Sequence, residues 1–435
     1  MLGWLTSRAT VIGDPFMGIV QGSRARKDDA ALRLRLYSDD QAEQTFRLIA
    51  QRWSEPETFR VFTQNIVKLI VDKRATAYRV PPRRTFQGWD QEAGDALYQT
   101  IRADLVLKRA SKLTKLLKTT ALQVGWEGDR ATLAIVTPNI LDAEWTDPER
   151  PTRLVVTHVG RREQDTTYSD WTAATYTRRD YRGRPLSLSA NPNGVNPYSA
   201  LPFVPLFDRL PDDEFFLSGG ADLIEAQQAV NVALANLWRA VEMQAHGQAW
   251  ATGITPGDIL KVGPNRTIAL PQGGQFGFAA PNAPIEDILS AIQFVMRTTA
   301  ITNGVSADVL DESKTAESGS AKHAERQDLR EVRQDDIALW RAYEVRLFET
   351  LKRVVNTHAP GTIPADATVT VDFAEEDYLS ESEVLSNARI KVELGVWSPV
   401  DVLMASNPDG FPTREAAFIE LARRRDEARD LQLPL

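Results

Sequence analysis

Two runs of carboxylates are the most chemically suggestive residues in the chain, Asp212-Asp213-Glu214 and Glu375-Glu376-Asp377. The second follows the strand-like residues 368–373, where a two-metal nuclease would place its ligands. Adjacent carboxylates on an extended segment point to opposite sides, so a solvated acidic surface is the simpler reading. Residues 359–388 hold seven acidic side chains and no basic one, which suits that reading. Lys108, Lys112 and Lys115 recur on one side of a helical pattern. They read either as a phosphate-facing stripe or as the solvated face of a surface helix.

Other catalytic signals are missing. There is no G-x-x-x-x-G-K-[ST] loop, no H-E-x-x-H, no G-x-S-x-G elbow and no S-x-x-K pair. His158, His246, His323 and His358 share no ligand spacing. With no cysteine, thiol catalysis, disulfides, Cys-ligated zinc and iron–sulfur centres are all excluded. Glycines 253, 257, 263, 273, 274 and 277 match turns rather than a dinucleotide cradle. The expectation is no catalytic residue, no metal and no cofactor.

The elements that carry these residues can be read from hydrophobic period. Leu32, Leu34 and Leu36 alternate with Arg33 and Arg35, which predicts a half-buried strand. A helix is predicted after Pro56, with Phe59, Phe62, Ile66, Leu69 and Ile70 on its apolar face and Lys73 breaking it. It should stop before Pro81-Pro82. A second helix is predicted over about 90–124, and antiparallel hairpins over about 130–207, rich in Thr, Val, Tyr and Trp. A long helix then runs from about Gly220 to His246. Leu223, Val230 and Leu237 are spaced by seven, and Leu234 and Val241 repeat that interval. So narrow a seam on a long rod calls for another helix beside it. Residues 248–283 read as a small β-rich insert, and a new helix starts at Pro284. The simplest geometry is two neighbouring helices with the insert at their tip. Residues 308–320 are a polar loop, followed by a helix of about 40 residues reaching His358. A strand over 368–373 and three C-terminal helices complete the chain, with Ser380, Ser398 and Thr413 as candidate caps. The fold class is therefore α+β, mainly helical.

Composition agrees with a folded chain. Its 435 residues are 43% apolar and 25% charged, enough to bury sizeable cores. The net charge of −8 argues against a protein that coats DNA by neutralising phosphates. No run of about 18 apolar residues is present, so no membrane partner is expected. The start, MLGWLTSRAT, lacks the apolar core of a signal peptide, so synthesis inside a cell is expected.

Three segments resemble the portal proteins of tailed bacteriophages. The first is Asn65-Ile-Val-Lys-Leu-Ile-Val-Asp72 leading to Val80-Pro-Pro82. The second is Leu201-Pro-Phe-Val-Pro-Leu206, followed by the stretch from Gly219 to Asn231. The third is Ala300-Ile-Thr-Asn-Gly-Val-Ser306 with Glu317-Ser-Gly-Ser-Ala321. The order of elements is similar over about 60–430, although many relatives are longer at the insert and the C-terminus.

The resemblance implies a wing over 1–218, a stem helix over 219–247, a clip over 248–283 and a second stem helix over 284–306. It further implies a tunnel loop over 307–321, a long wing helix and strand over 322–378, and a crown over 379–435. Asp311, Glu312, Ser313, Lys314, Thr315, Ser318 and Lys322 would face DNA at the tunnel loop. Leu223, Val230, Leu234, Leu237 and Val241 would form the seam between copies. Trp250, Ile254, Lys261 and Arg266 would lie on the clip surface. The implied role is structural, a ring at the portal vertex of the virion, assembled in the host cytoplasm. Its implied partners are other copies of itself, twelve in all, double-stranded DNA held non-specifically, the terminase large subunit, a head–tail adaptor, and the major capsid and scaffold proteins. The alternatives are a metal-dependent nuclease using Glu375, Glu376 and Asp377, or another virion adaptor or scaffold component.

Overall fold

The computed structural model describes residues 15–245, 248–253, 270, 272–279, 284–305, 319–373, 381–407, 410–411 and 413–430. They fall into two compact units, Met1–Ala374 and Glu375–Leu435.

The first unit opens with helices α1 (Pro15–Gly22), α2 (Arg24–Tyr37), α3 (Ala42–Ala50) and α4 (Ile66–Arg74). Strand β1 (Arg83–Gln87) leads to α5 (Gln91–Thr100) and α6 (Ala103–Leu117). Next come β2 (Thr119–Glu127), β3 (Arg130–Val136), β4 (Leu141–Glu144), β5 (Arg153–His158), β6 (Thr167–Thr172), β7 (Tyr176–Arg179), β8 (Pro185–Leu186) and β9 (Phe203–Phe207). Then follow α7 (Ala221–Ala245), β10 (Gln248–Thr252), β11 (Gln275–Ala279), α8 (Ile285–Thr302), α9 (Gly319–His358) and β12 (Thr368–Asp372). The α+β reading holds at this level. Every strand pair among the described residues is antiparallel, in sheets ordered β3-β2-β9, β4-β5-β6-β7-β8, β1-β12 and β10-β11.

The main core forms where α9 packs on β2, β9 and β12. Leu122 and Val124 of β2 meet Phe203, Leu206 and Phe207 of β9 there, with Trp340, Tyr343, Leu347, Leu351 and Val354 of α9 above them. A buried polar group is tolerated among them only where it is paired. Glu344 on α9 is such a group, held by Arg84 and the Tyr78 hydroxyl.

Three sequence expectations differ from this architecture. Residues 32–36 are helical within α2, not a strand. The Leu/Arg alternation misleads because Arg33 points inward with Ala30 and Leu36. Its guanidinium donates to the Gly219 carbonyl at 2.7 Å and pairs with Asp29 one turn earlier, so its charge is satisfied inside.

The expected single helix over 90–124 is α5, α6 and the start of β2. Arg102 at φ 52° reorients the chain after α5, and Lys118 at φ 68° ends α6. Central strand β2 is buried on both faces, so it shows no period-two alternation to read.

The helix expected from Pro56 is a single 3-10 turn, Pro56–Thr58, followed by extended chain until Asn65 caps α4. The cap is the Asn65 side-chain oxygen accepting from the Lys68 N–H at 2.8 Å.

In the second unit, α10 (Glu381–Glu393) ends before Gly395, whose φ of 68° suits glycine. Helix α11 (Pro399–Ser406) starts at a Ser398/Asp401 capping box and packs on α12 (Arg414–Asp430). Arg414 clamps that box through Asp401 at 2.9 Å. Ser380, the expected cap of α10, lies outside the described residues.

Candidate functional site

The most distinctive assembly of elements is α7, β10, β11 and α8. Helix α7 has 25 residues and spans about 37 Å at 1.5 Å per residue. Helix α8 has 18 residues and packs along it. The two run antiparallel, because Asn303 at the end of α8 donates to Asp222 at the start of α7 (3.2 Å). Between them in the chain, β10 and β11 pair with Trp250 opposite Gly277. A Cβ at Gly277 would lie 2.9 Å from the Trp250 indole, so only glycine lets the ring lie flat across the pair. This is the expected geometry of two rods carrying a β tip.

Burial along the rods falls from base to tip. On α7, Leu223, Ile224, Gln227, Val230, Asn231, Val232 and Ala235 are buried, and no described residue beyond Ala235 is. On α8, Ile292, Thr299 and Ala300 are buried. Large apolar side chains are left in the open, among them Trp238, Val241, Met243, Phe294 (69% exposed) and Ile301 (63% exposed). The tip adds Trp250 and Phe278 on opposite faces of a two-stranded ribbon, 43% and 60% exposed. A two-stranded ribbon alone in water is marginal.

A buried amide network anchors the base. Gln227 Oε1 accepts from the Ile66 and Val67 N–H groups at 2.7 and 3.0 Å, the first two of α4. Its Nε2 donates to the Gln64 carbonyl and to Asn231 Oδ1. Asn231 Oδ1 also accepts from the Gln64 N–H (3.1 Å), and Asn231 Nδ2 donates to Gln41 Oε1 (2.7 Å). Gln41 passes the chain on to the Leu36 carbonyl at 2.8 Å. Thus α7 itself supplies the acceptor for the helix N-terminus it packs on. Hydrophobic period gave no hint of this, because Gln227 and Asn231 interrupt the apolar row. The available signal was two amides one turn apart on an otherwise apolar face.

Replacing Gln227 by leucine strands those two N–H groups and the Gln64 carbonyl without partners. The expected loss is about 2–3 kcal/mol of stability, read as a lower urea midpoint. An unchanged midpoint would remove the network from the account of how the rods are held.

A second polar cluster lies nearby. Lys115 Nζ sits 2.7 Å from both Asp208 and Asp336, and Lys118 Nζ lies 2.8 Å from Asp208. Burial alone would raise the Asp208 carboxyl, but the two ammonium groups outweigh it and hold it below the usual range. At Asp336 burial outweighs Lys115 and the weaker influence of Arg74, with the Asp208 charge adding to it, and its carboxyl is raised.

The residues singled out in the sequence fall as follows. Leu223 and Val230 are buried within the chain, and Leu234 and Leu237 are half-buried against the same cluster. Of that row, Val241 stays exposed. Trp250 is exposed on the tip. Ile254, Lys261, Arg266, Asp311, Glu312, Ser313, Lys314, Thr315 and Ser318 lie outside the described residues, as do Glu375, Glu376 and Asp377. Lys322 belongs to α9, but its side chain is outside the described set.

The lysine stripe does not survive as a unit. Lys108 is exposed, Lys112 pairs with Asp72 at 3.0 Å, and Lys115 is inside. The two described histidine rings are engaged separately. His158 meets Ser169 at 2.8 Å, and His358 stacks on Trp126. Among the described residues no group of three His, Asp or Glu could hold a metal ion, and no helix is long and apolar enough to cross a membrane.

No family model matches the sequence, and no curated protein does. Solved structures do align with it. One is the neck of a native GTA particle computed with C12 symmetry, 13% identical over 78% of this chain and 89% of that chain, with a TM-score of 0.48. A second is the virion of a native gene transfer agent particle, 12% identical over 81% and 94%, with a TM-score of 0.42. A third is the neck of an empty GTA particle computed with C6 symmetry, 13% identical over 76% and 86%, with a TM-score of 0.41.

Proposed function

We propose that the chain is the subunit of a portal ring at the head–tail vertex of a tailed phage, a structural component through which double-stranded DNA passes. The observation that carries this reading is the rod pair. Its base is fixed by buried amides, while its outer half and β tip present exposed apolar side chains. Burying such surface is worth about 25 cal/mol per Å², so rods of this kind favour lateral neighbours. Cyclic closure satisfies every copy equally.

In this reading α7 and α8 are the stem helices and β10 with β11 belongs to the clip. The unit preceding α7, together with α9 and β12, is the wing, and the C-terminal helices are the crown. Residues 307–321 form the tunnel loop. The clip takes the packaging motor during filling and the tail adaptor afterwards, and the wing faces the capsid and scaffold proteins. The seam between copies shifts from Leu223 and Val230, which the chain buries for itself, to exposed side chains along the rods, Trp238 and Val241 on α7 with Phe294 and Ile301 on α8.

The charge of the rods suits a passage for DNA. Helices α7 and α8 together carry Asp222, Glu225, Glu242, Glu286 and Asp287 against Arg239 and Arg297. A net negative rod does not gather phosphates, so a polyanion can slide past it.

Light scattering on purified protein tests the assembly. Twelve copies of 48.5 kDa correspond to about 580 kDa, and negative-stain images should show discs with a central hole. A monomer at every salt and protein concentration would end this reading.

A further inference from the structure

Helix α6 carries a cationic groove that the proposed function does not use. Arg102, Leu105 and Arg109 follow one another along one side of the helix, with Lys108 beside them, and all four are exposed. Leu105 is 69% exposed. Between this side of α6, the end of α2 and strand β3 lies a groove of about 570 Å³ whose floor includes Leu34, Leu133 and Ile135. A second groove of about 650 Å³ shares Arg102 and Leu105 and continues toward Arg83. The nearby carboxylates are already engaged, Asp72 by Lys112 and Asp104 by Arg84. Asp95, which also lines the second groove, accepts from Gln91 at 3.1 Å, and Arg102, Lys108 and Arg109 form a patch of surplus positive charge on a chain of net charge −8.

A matching surface lies elsewhere on the same chain. Residues 210–214, Leu-Pro-Asp-Asp-Glu, form a surface loop after β9. Leu210 is 65% exposed, and Asp212, Asp213 and Glu214 are exposed without an ion pair. They are the only three consecutive acidic residues among the described residues. The Asp213 carbonyl accepts from the Trp145 indole N–H at 2.8 Å, so the loop is presented rather than free to rearrange. One apolar side chain beside three carboxylates complements an apolar floor rimmed by guanidinium groups. The two surfaces do not meet within one chain. In the β3-β2-β9 sheet, the groove borders one edge strand and the loop leaves the other.

We propose that the groove beside Arg102 and Arg109 receives loop 210–214 of a neighbouring copy of this chain. Two different patches in contact make a head-to-tail interface, the kind that closes into a ring. The inference rests on the ring reading and names the contact that would complete it outside the rods. DNA is the poorer occupant, because the apolar floor offers a phosphate backbone nothing.

Charge reversal provides the test, with ring content followed by light scattering and folding by circular dichroism. Arg102→Glu with Arg109→Glu, and separately Asp212→Lys with Asp213→Lys, should each raise the concentration needed for assembly by about tenfold or more. All four changes together should restore it. Wild-type assembly should also weaken as salt screens the contact. Leu210→Ser serves as a second, uncharged variant if a reversal disturbs folding, and it should weaken assembly in the same direction. Rings that form normally in either reversed variant, or no rescue in the combination, would overturn the proposal while leaving the ring reading intact. Loss of affinity for an oligonucleotide probe with assembly unchanged would also overturn it, giving the groove to nucleic acid. A wild-type protein that never assembles would remove the ring reading itself.

Discussion

Glu344→Leu is expected to cost about 3–5 kcal/mol of stability, the range for removing one member of a buried ion pair. Glu344 is fully buried on α9. It accepts from Arg84 Nη2 at 2.7 Å, from Arg84 Nε at 3.1 Å and from the Tyr78 hydroxyl at 2.9 Å. Arg84 is also largely buried and lies over the Tyr98 ring at 4.6 Å. Burial by itself would lower the Arg84 guanidinium, but Glu344 and then Asp104 more than offset it and keep it charged. Burial, with the Glu344 charge added, pushes the Tyr78 hydroxyl well up, so it stays a donor. The leucine variant therefore leaves a guanidinium in the core with only Asp104 at its outer edge. Urea unfolding should show the loss at an unchanged slope. A second variant separates charge from packing. Arg84→Met combined with Glu344→Leu should recover most of the loss, since an apolar pair of similar volume replaces the ionic one. If the single variant is as stable as wild type, α9 is not pinned to β1 by this pair.

Lys115→Met is expected to be as damaging, and its cost should depend on pH. Removing Lys115 leaves Asp336 without its hydrogen-bonded cation, with only the weaker influence of Arg74, and Asp208 with Lys118 alone. At neutral pH the expected loss is again about 3–5 kcal/mol. The sign of the pH dependence follows from the two carboxyls. Asp208 is held low in the folded wild type, so its contribution is present above the unfolded carboxylate range and fades as pH falls through its folded value. Asp336 is already raised, and without Lys115 it should rise further. A raised acid binds its proton more tightly in the folded state, so folding weakens as pH rises past the unfolded value of about 3.9. Both effects make the gap between wild type and variant widest near pH 7 and narrower near pH 4. Thermal melts across that range measure it. A gap that is constant with pH would mean that Lys115 contributes through packing of its stem rather than through charge.

These two clusters hold α9 against β1, α6 and the chain leaving β9, and the amide network around Gln227 holds α7 against α3 and α4. Together they make a firm base from which the rods extend. For a proposed ring component this division matters. Buried polar contacts hold the base of the rods, while exposed apolar side chains along them are left for neighbours.

Much of this architecture was legible from residue order alone. The two rods, the insert between them, the 40-residue helix ending at His358, the strand after it and the Ser398 and Thr413 helix starts all follow from local signals. Period, caps and glycine or proline punctuation are properties of a few neighbouring residues, and long helices repeat them many times. What tertiary structure decided was which side of each element is inside. Arg33 turned a strand-like alternation into a helix because its guanidinium found carbonyls 83 and 186 residues away. Leu223 and Val230 belong to the chain's own core, while Trp238 and Phe294 are left outside. Lys115 became a buried bridge and Arg102 with Arg109 a surface patch, although all three lie within fourteen positions of the sequence. A side chain's burial and charge state depend on partners brought together by distant parts of the chain, and that information exists only once the elements are packed.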